Sequence, residues 1–204
     1  MIDRVSSVAD LEALYGEASP TSIRKETDHL TPEYRAFVEA SPFVLVASAG
    51  AEGLDCSPRG DAPGFVAVED ERTLLIPDRR GNNRLDTLRN ILADPRVALI
   101  FLVPGVAETL RVNGRAAIST APALLERFVI DGKAPRTVLV VTAEQVYFQC
   151  AKALIRSDLW NPCKHVPRSH LPSPGAMLKG ASRDPVDVAE VDRAYPDRIR
   201  ATLY

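Results

Sequence analysis

The stretch Thr73-Leu74-Leu75-Ile76-Pro77, then Asp78-Arg79-Arg80-Gly81-Asn82-Asn83-Arg84, then a run from Leu85 to Leu92, then Val97 to Val103, reads as strand, basic turn, helix, strand. Leu85, Leu88, Ile91 and Leu92 fall on one helical face, and Asp94-Pro95 stops the helix. A turn that sets Gly81, Asn82, Asn83 and Arg79, Arg80 and Arg84 against a helix start suits an anion. Free backbone N–H groups and the helix dipole favour negative charge there, and Arg offers two-point contacts to phosphate oxygens. The stretch predicts a site for a phosphate-bearing cofactor.

Outward from it, the chain reads mostly as strands. Phe43 to Ala49 is apolar and β-branched, Gly50-Ala51-Glu52-Gly53 is a hairpin signal, and Leu54 to Pro58 returns. Ser57-Pro58-Arg59-Gly60-Asp61 reads as a polar break. Phe65 to Val68 then pairs with Thr73 to Pro77. From Glu108 to Thr120 the pattern has period two: Leu110, Val112, Ala116 and Ile118 face one way, and Thr109, Arg111, Asn113 and Arg115 the other. Thr137 to Phe148 is a further strand. Helical segments are expected at Ser7 to Ala18, Ser22 to Asp28, Pro32 to Ala40 behind the N-cap Thr31, Pro122 to Ile130, Ala151 to Trp160, and Pro185 to Leu203. Six or more strands with few helices between them predict an antiparallel barrel or sandwich, mainly β with flanking helices.

With 204 residues the chain fits one domain with a sizeable core. The net charge of −2 argues against generic nucleic-acid binding and leaves room for a local basic pocket. No run is apolar and long enough to span a membrane. The start, Met1-Ile2-Asp3-Arg4, lacks a secretory pattern, which places the protein in the cytoplasm. Cys56, Cys150 and Cys163 are odd in number and widely spaced, so no disulfide framework is expected. Cys56 and Cys150 read as small packing residues. Cys163 stands near His165, but His29 and His170 are not placed to complete a metal site, and none is expected.

The order of strand, basic turn, helix ending in Asp94-Pro95-Arg96-Val97, apolar strand, and alternating strand with Asn113-Gly114-Arg115-Ala116 resembles the pyridoxamine 5′-phosphate oxidase-like flavoproteins. Gly175-Ala176-Met177-Leu178 and Ala194 to Tyr204 look like an uncharacterised bacterial subgroup. The resemblance implies a six-stranded antiparallel split β-barrel over residues 41–160. A helical extension, 1–40, precedes it, and a second extension, 161–204, packs on the barrel or on a dimer partner. It implies a homodimer with FMN at the interface and an FMN-dependent oxidoreductase acting on a small molecule, with NAD(P)H as a possible electron donor. Deazaflavin F420 on the same barrel and a flavin-binding or sensor protein without turnover are the alternatives. Haem would need an axial ligand, usually His, and the central strands have none.

Residue by residue, the resemblance puts Gly81-Asn82-Asn83-Arg84 on the FMN phosphate, with Arg84 as the basic ligand. Asn83 stands where the family often has Arg, a contact that Arg79 or Arg80 would supply. Ile76, Pro77 and Asp78 fall at the strand end passing the flavin and ribityl chain. Ser57, Pro58 and Arg59 fall along the ring edge, and Thr109 near the ring. Lys152, Arg156 and Trp160 are the candidates contributed by the partner subunit, and their spacing puts them on one helical side. No acid or base for catalysis is assigned. Each residue has a plainer reading: Arg84 as a solvated helix-start residue, Arg59 as a turn residue paired with Asp61, Arg111 and Arg115 in ion pairs with Glu108 or Glu144, and Trp160 as dimer packing between two solvated cations. The substrate motifs of pyridoxamine-phosphate oxidation are not recognisable after Trp160.

Overall fold

A computed structural model describes residues 4–51 and 53–204. The reading of the first three residues, and of Glu52 in the hairpin turn, lies outside the described residues. Three helices come first: α1 (Val8–Tyr15), α2 (Pro20–Arg24) and α3 (Pro32–Ala40). Their N-caps Ser7, Ser19 and Thr31 each accept a backbone N–H from the first turn. The strands are β1 (Phe43–Gly50), β2 (Gly53–Gly60), β3 (Ala67–Val68), β4 (Thr73–Asp78), β5 (Arg96–Leu102), β6 (Thr109–Ser119) and β7 (Thr137–Gln149). Between them stand α4 (Asp86–Ala93) and α5 (Pro122–Glu126). After them come α6 (Lys152–Ser157), α7 (Pro174–Ala181) and α8 (Val188–Ala201).

All pairings are antiparallel, in the order β2-β1-β5-β6-β7-β4-β3. The sheet has seven strands where the resemblance implied six, and the expected pairing of Phe65 to Val68 with Thr73 to Pro77 is made by Ala67 and Val68 of β3 on β4. Leu74, Ile76, Leu99, Phe101, Leu110 and Leu139 fill its interior, and Val38 of α3 is buried with them. The two outer strands, β2 and β3, are not hydrogen-bonded to each other among the described residues, so the curled sheet remains a split barrel.

Four expectations change. The polar break Ser57 to Gly60 is strand, pairing with Phe43 to Val46. Pro58 is tolerated because β2 is an edge strand, where a missing N–H costs no ladder bond. In α4 the inward face is Thr87, Asn90 and Ile91, with Leu88 partly buried. Leu85 precedes that helix and Leu92 is 78% exposed. Thr109 is buried rather than facing solvent. Cys56, Cys150 and Cys163 are all exposed, so Cys56 and Cys150 are not packing residues. A register shift at Asn113/Gly114 leaves Glu144 of β7 without a partner, a bulge that bends the longest pair of strands. Gly114 is required there: a Cβ would lie 2.0 Å from the Thr142 carbonyl oxygen.

Candidate functional site

The split brings together the ends of two strands that lie far apart in the sheet order. Arg59 of β2 pairs with Asp78 of β4 at 3.2 Å, and each side chain is 18% exposed. Arg79, just after β4, pairs with Asp61, just after β2, at 2.9 Å. The arrangement is a crossed pair: each side of the split contributes one arginine and one aspartate. Two ion pairs thus join edges that no backbone ladder joins. Burial pushes the Asp78 carboxyl above the usual range, and the Arg59 guanidinium opposes that rise. Asp61 does not pair with Arg59, as the plainer reading had it, because the continuation of β2 turns Arg59 toward β4.

Over this junction lies a cleft of about 790 Å³, lined from β2 by Asp55, Ser57, Pro58, Arg59 and Gly60, and from β4 and its turn by Pro77 to Arg84. That volume is in the range of small-molecule sites. Leu85, Asp86, Thr87 and Leu88 add the start of α4. This helix has no side-chain cap; its N-cap is Leu85, left-handed at φ 65°, and Asn83 is left-handed at φ 59°. Such backbone is uncommon for non-glycine residues and concentrates where a turn must hold a set shape. The Asn82 side chain accepts the Arg84 backbone N–H at 3.1 Å. Arg84 is three-quarters exposed and reaches Asp86 through Nε at 2.8 Å. That hydrogen bond holds its guanidinium above the ordinary arginine range.

Two buried polar atoms on the cleft residues have no partner in the protein: Nε of Arg59 and Oγ1 of Thr137. Native structures rarely leave such atoms unpaired. A bound molecule with acceptor and donor atoms would satisfy both. The uncapped helix start, the arginines of the turn and these orphaned atoms fit a phosphate-bearing cofactor with a polar ring or chain.

Of the residues expected from the sequence, Ser57, Pro58, Arg59, Pro77, Asp78, Arg79, Arg80, Gly81, Asn82, Asn83 and Arg84 line this one cleft. Ile76 does not; its side chain is wholly buried in the core. Thr109 lies opposite Gln149, at the far end of β7 from Thr137, about 40 Å along the strand at ordinary rise. Lys152, Arg156 and Trp160 follow that same far end and do not line the cleft of their own chain. They do not share one helical side either. The helix ends at Ser157, Asp158 turns left-handed at φ 52°, and the Trp160 ring N–H donates to the Val106 carbonyl at 2.8 Å. Arg111 lies over the Tyr147 ring, 5.3 Å from its centre, and not on Glu108 or Glu144.

Several lining residues carried no local signal. Thr87 donates to Asp55, a carboxylate that also accepts from Ser57. Arg136 and Thr137 enter from the start of β7, and Tyr204 from beyond α8. The Tyr204 hydroxyl donates to Asp61 at 2.9 Å and its ring packs under Arg79, 5.6 Å from the ring centre. The bond to Asp61, then burial, pushes the phenol above its ordinary pKa. Only the crossed Arg59/Asp78 and Arg79/Asp61 spacing, two oppositely charged residues at matching strand ends, was there to be read. Among the described residues no three of His, Cys, Asp and Glu gather as a metal site, and no helix is long and apolar enough to cross a membrane.

The chain matches no curated relative. Solved structures that resemble it include HupZ of Group A Streptococcus, at 18% identity and TM-score 0.48, covering 59% of this chain and 99% of that one. A candidate pyridoxamine 5′-phosphate oxidase of Lactobacillus delbrueckii aligns at 22% identity and TM-score 0.46, covering 59% and 95%. An FMN-binding protein of Syntrophomonas wolfei aligns at 12% identity and TM-score 0.44, covering 57% and 83%. The family model described as pyridoxamine 5′-phosphate oxidase matches residues 30–150. That span holds all seven strands, both halves of the crossed ion pairs and the basic turn, and it is more than half of the chain. The chain belongs to the pyridoxamine 5′-phosphate oxidase family.

Proposed function

We propose that this chain binds FMN in the cleft at the split and acts as an FMN-dependent oxidoreductase on a small molecule. The observation that carries the reading is the pair of orphaned buried atoms, Arg59 Nε and Thr137 Oγ1, in a cleft whose basic turn and uncapped helix start suit a phosphate. When bound, FMN supplies hydride or electron transfer through its ring. The chain's residues do the rest. Arg79, Arg80 and Arg84 hold the phosphate, with the backbone of Gly81 to Asn83 shaping the turn. Arg59, fixed by Asp78, presents a cation at the floor of the cleft, where it would favour negative charge on a reduced ring. Thr137 offers a hydroxyl from the opposite wall. Pro77 and Phe65 supply apolar surface that keeps water off the bound face.

The reading includes a homodimer. Thr109, Lys152, Arg156 and Trp160 lie away from their own cleft, so any part they take in binding must be across a subunit boundary.

The test is spectroscopic. Purified protein titrated with FMN should quench flavin fluorescence with saturation at one FMN per chain, and NAD(P)H added without oxygen should bleach the flavin band. No uptake of FMN overturns the reading. Uptake without bleaching by any donor assigns a flavin-binding role without turnover.

A further inference from the structure

Of the three arginines in the turn after β4, Arg79 is the one the fold holds in place. Its Nε donates to Asp61 Oδ2 at 2.9 Å, its Nη1 donates to the Phe128 carbonyl, and the Tyr204 ring centre lies 5.6 Å from its guanidinium carbon. Its side chain is 15% exposed, against 75% for Arg84. Arg84 reaches only Asp86, two residues away, and among the described residues Arg80 makes no ion pair. Arg79 lines the cleft, and its Nη2 has no protein partner among the described residues. The guanidinium is therefore gripped on three sides and keeps donors for a ligand.

The grip is completed from outside the span that the family model matches, which ends at residue 150. The Asp61 side chain is 3% exposed and both its oxygens are used: Oδ2 accepts from Arg79, and Oδ1 accepts the Ala62 backbone N–H at 2.8 Å and the Tyr204 hydroxyl at 2.9 Å. Tyr204 is aimed by α8. Asp187 caps the start of that helix, and Thr202 Oγ1 donates to the Arg198 carbonyl at its end, at 2.8 Å. Asp192 of α8 accepts the Gly175 N–H of α7, where a Cβ would lie 2.7 Å from the Val188 carbonyl oxygen, so the two helices pack in direct contact. Among the described residues the hydrogen bonds and ion pairs of residues 173–204 stay within that segment, with the bond from Tyr204 to Asp61 as the exception. The polar tie from this helix pair to the sheet thus ends on the carboxylate that holds Arg79.

We infer that Tyr204 is a positioning residue: its hydroxyl on Asp61 and its ring against Arg79 fix the Arg79 guanidinium at the seam, ready for the cofactor phosphate. The phosphate part rests on the flavin reading; the fixing of Arg79 does not. An arginine held in place before binding gives up little rotamer freedom when the anion arrives. The face of the phenol ring also stabilises the guanidinium laid over it. Tyr204 thus acts on affinity through Arg79, and its effect disappears when Arg79 is removed.

Two measurements on the full chain test this. The first needs no flavin: hydrogen exchange of the Arg79 Nε–H, followed by NMR of the isotope-labelled protein. Tyr204→Ala should speed that exchange at least about fivefold, and Tyr204→Phe, which keeps the ring, should recover part of the loss. The second is an FMN titration of four chains: the parent, Tyr204→Ala, Arg79→Gln and the double variant. Tyr204→Ala should raise the Kd for FMN about three- to tenfold when Arg79 is present, and change it less than about twofold in the Arg79→Gln chain. A residue that merely supports the wall of the cleft would cost the same in both. Exchange that Tyr204→Ala leaves unchanged overturns the fixing of Arg79. An unchanged Kd, or an equal loss with and without Arg79, overturns the role at the phosphate. If the parent takes up no FMN, the flavin reading fails, and the exchange measurement still decides whether Tyr204 fixes Arg79.

Discussion

Arg59 is the residue on which both the closure of the barrel and the site depend. Its guanidinium meets Asp78 across the split while its Nε is buried without a partner. Arg59→Met should leave the Asp78 carboxylate buried and unpaired, and urea unfolding should show a loss of about 1–3 kcal/mol. Asp78→Asn should behave oppositely. The folded pKa of Asp78 is raised by burial, so its charge works against folding once pH passes the unfolded value. An amide keeps a hydrogen-bond acceptor for Arg59 and removes that cost. Its stability at neutral pH should equal or exceed that of the parent, and a clear loss would contradict this account. For binding, Arg84→Ala should raise the Kd for FMN about tenfold or more, by loss of a charge-assisted phosphate contact. Unchanged affinity in a fluorescence titration would remove Arg84 from the phosphate site and leave Arg79 and Arg80. At this scale the sequence showed the basic turn and Arg59 plainly, because they are local. Tyr204, which meets both Asp61 and Arg79, lies 143 residues from Asp61 and had no local mark.

Among the elements, β2 and α4 show where local rules give way. Pro58 reads as a break, yet β2 runs through it because an edge strand has one ladder to satisfy. In α4 the apolar count points to Leu85 and Leu92, but the helix buries Thr87 and Asn90. Their side chains bond to Asp55 and to Ser48 of the neighbouring strands. Satisfied polar contacts set the helix rotation, and periodicity of hydrophobic residues alone misses that. The end of α4 carries a pH-dependent term. Asp94 accepts from both the side chain and backbone of Arg96, which lowers its carboxyl to about 2. A depressed folded pKa means the contribution is complete above about 4, the unfolded value, and is lost as pH falls toward 2. A carboxyl carbon titration by NMR should place Asp94 near that value, and Arg96→Ala should return it toward 4. The β6–β7 bulge gives a further test. Gly114→Ala drives a methyl into the Thr142 carbonyl, backbone that cannot swing away. It should cost about 2–3 kcal/mol or more in chemical denaturation, whereas Gly81→Ala, with open space at the Cβ, should cost under about 1 kcal/mol.

The whole molecule is a curled seven-stranded sheet, and its unclosed seam carries the proposed binding site. The strands and the fold class were legible because apolar runs mark β1 and β5, period-two patterning marks β6, and turn residues separate the strands; the order of the strands in the sheet was not. The short β3 was legible too, as Phe65 to Val68 paired with Thr73 to Pro77, although only Ala67 and Val68 form strand. The helix α7 was not: its segment is rich in Pro, Ser and Gly, and it is held by Ser173 capping and by Asp192 of α8 accepting the Gly175 N–H at 2.7 Å. The cleft was half legible. Its near wall is one contiguous stretch, while its far wall comes from β2, the start of β7 and the residues after α8, assembled only by folding. Net charge is slightly negative while the cleft gathers Arg59, Arg79, Arg80, Arg84 and Arg136. That contrast favours small anionic ligands over long polyanions. The central claim is that the seam binds FMN, and the direct measurement is a titration of the purified chain with FMN followed by flavin fluorescence, run beside Arg59→Met. The account predicts saturable quenching at one FMN per chain, weakened at least about tenfold by the substitution. Fluorescence that rises linearly with added FMN, as for free flavin, would contradict it.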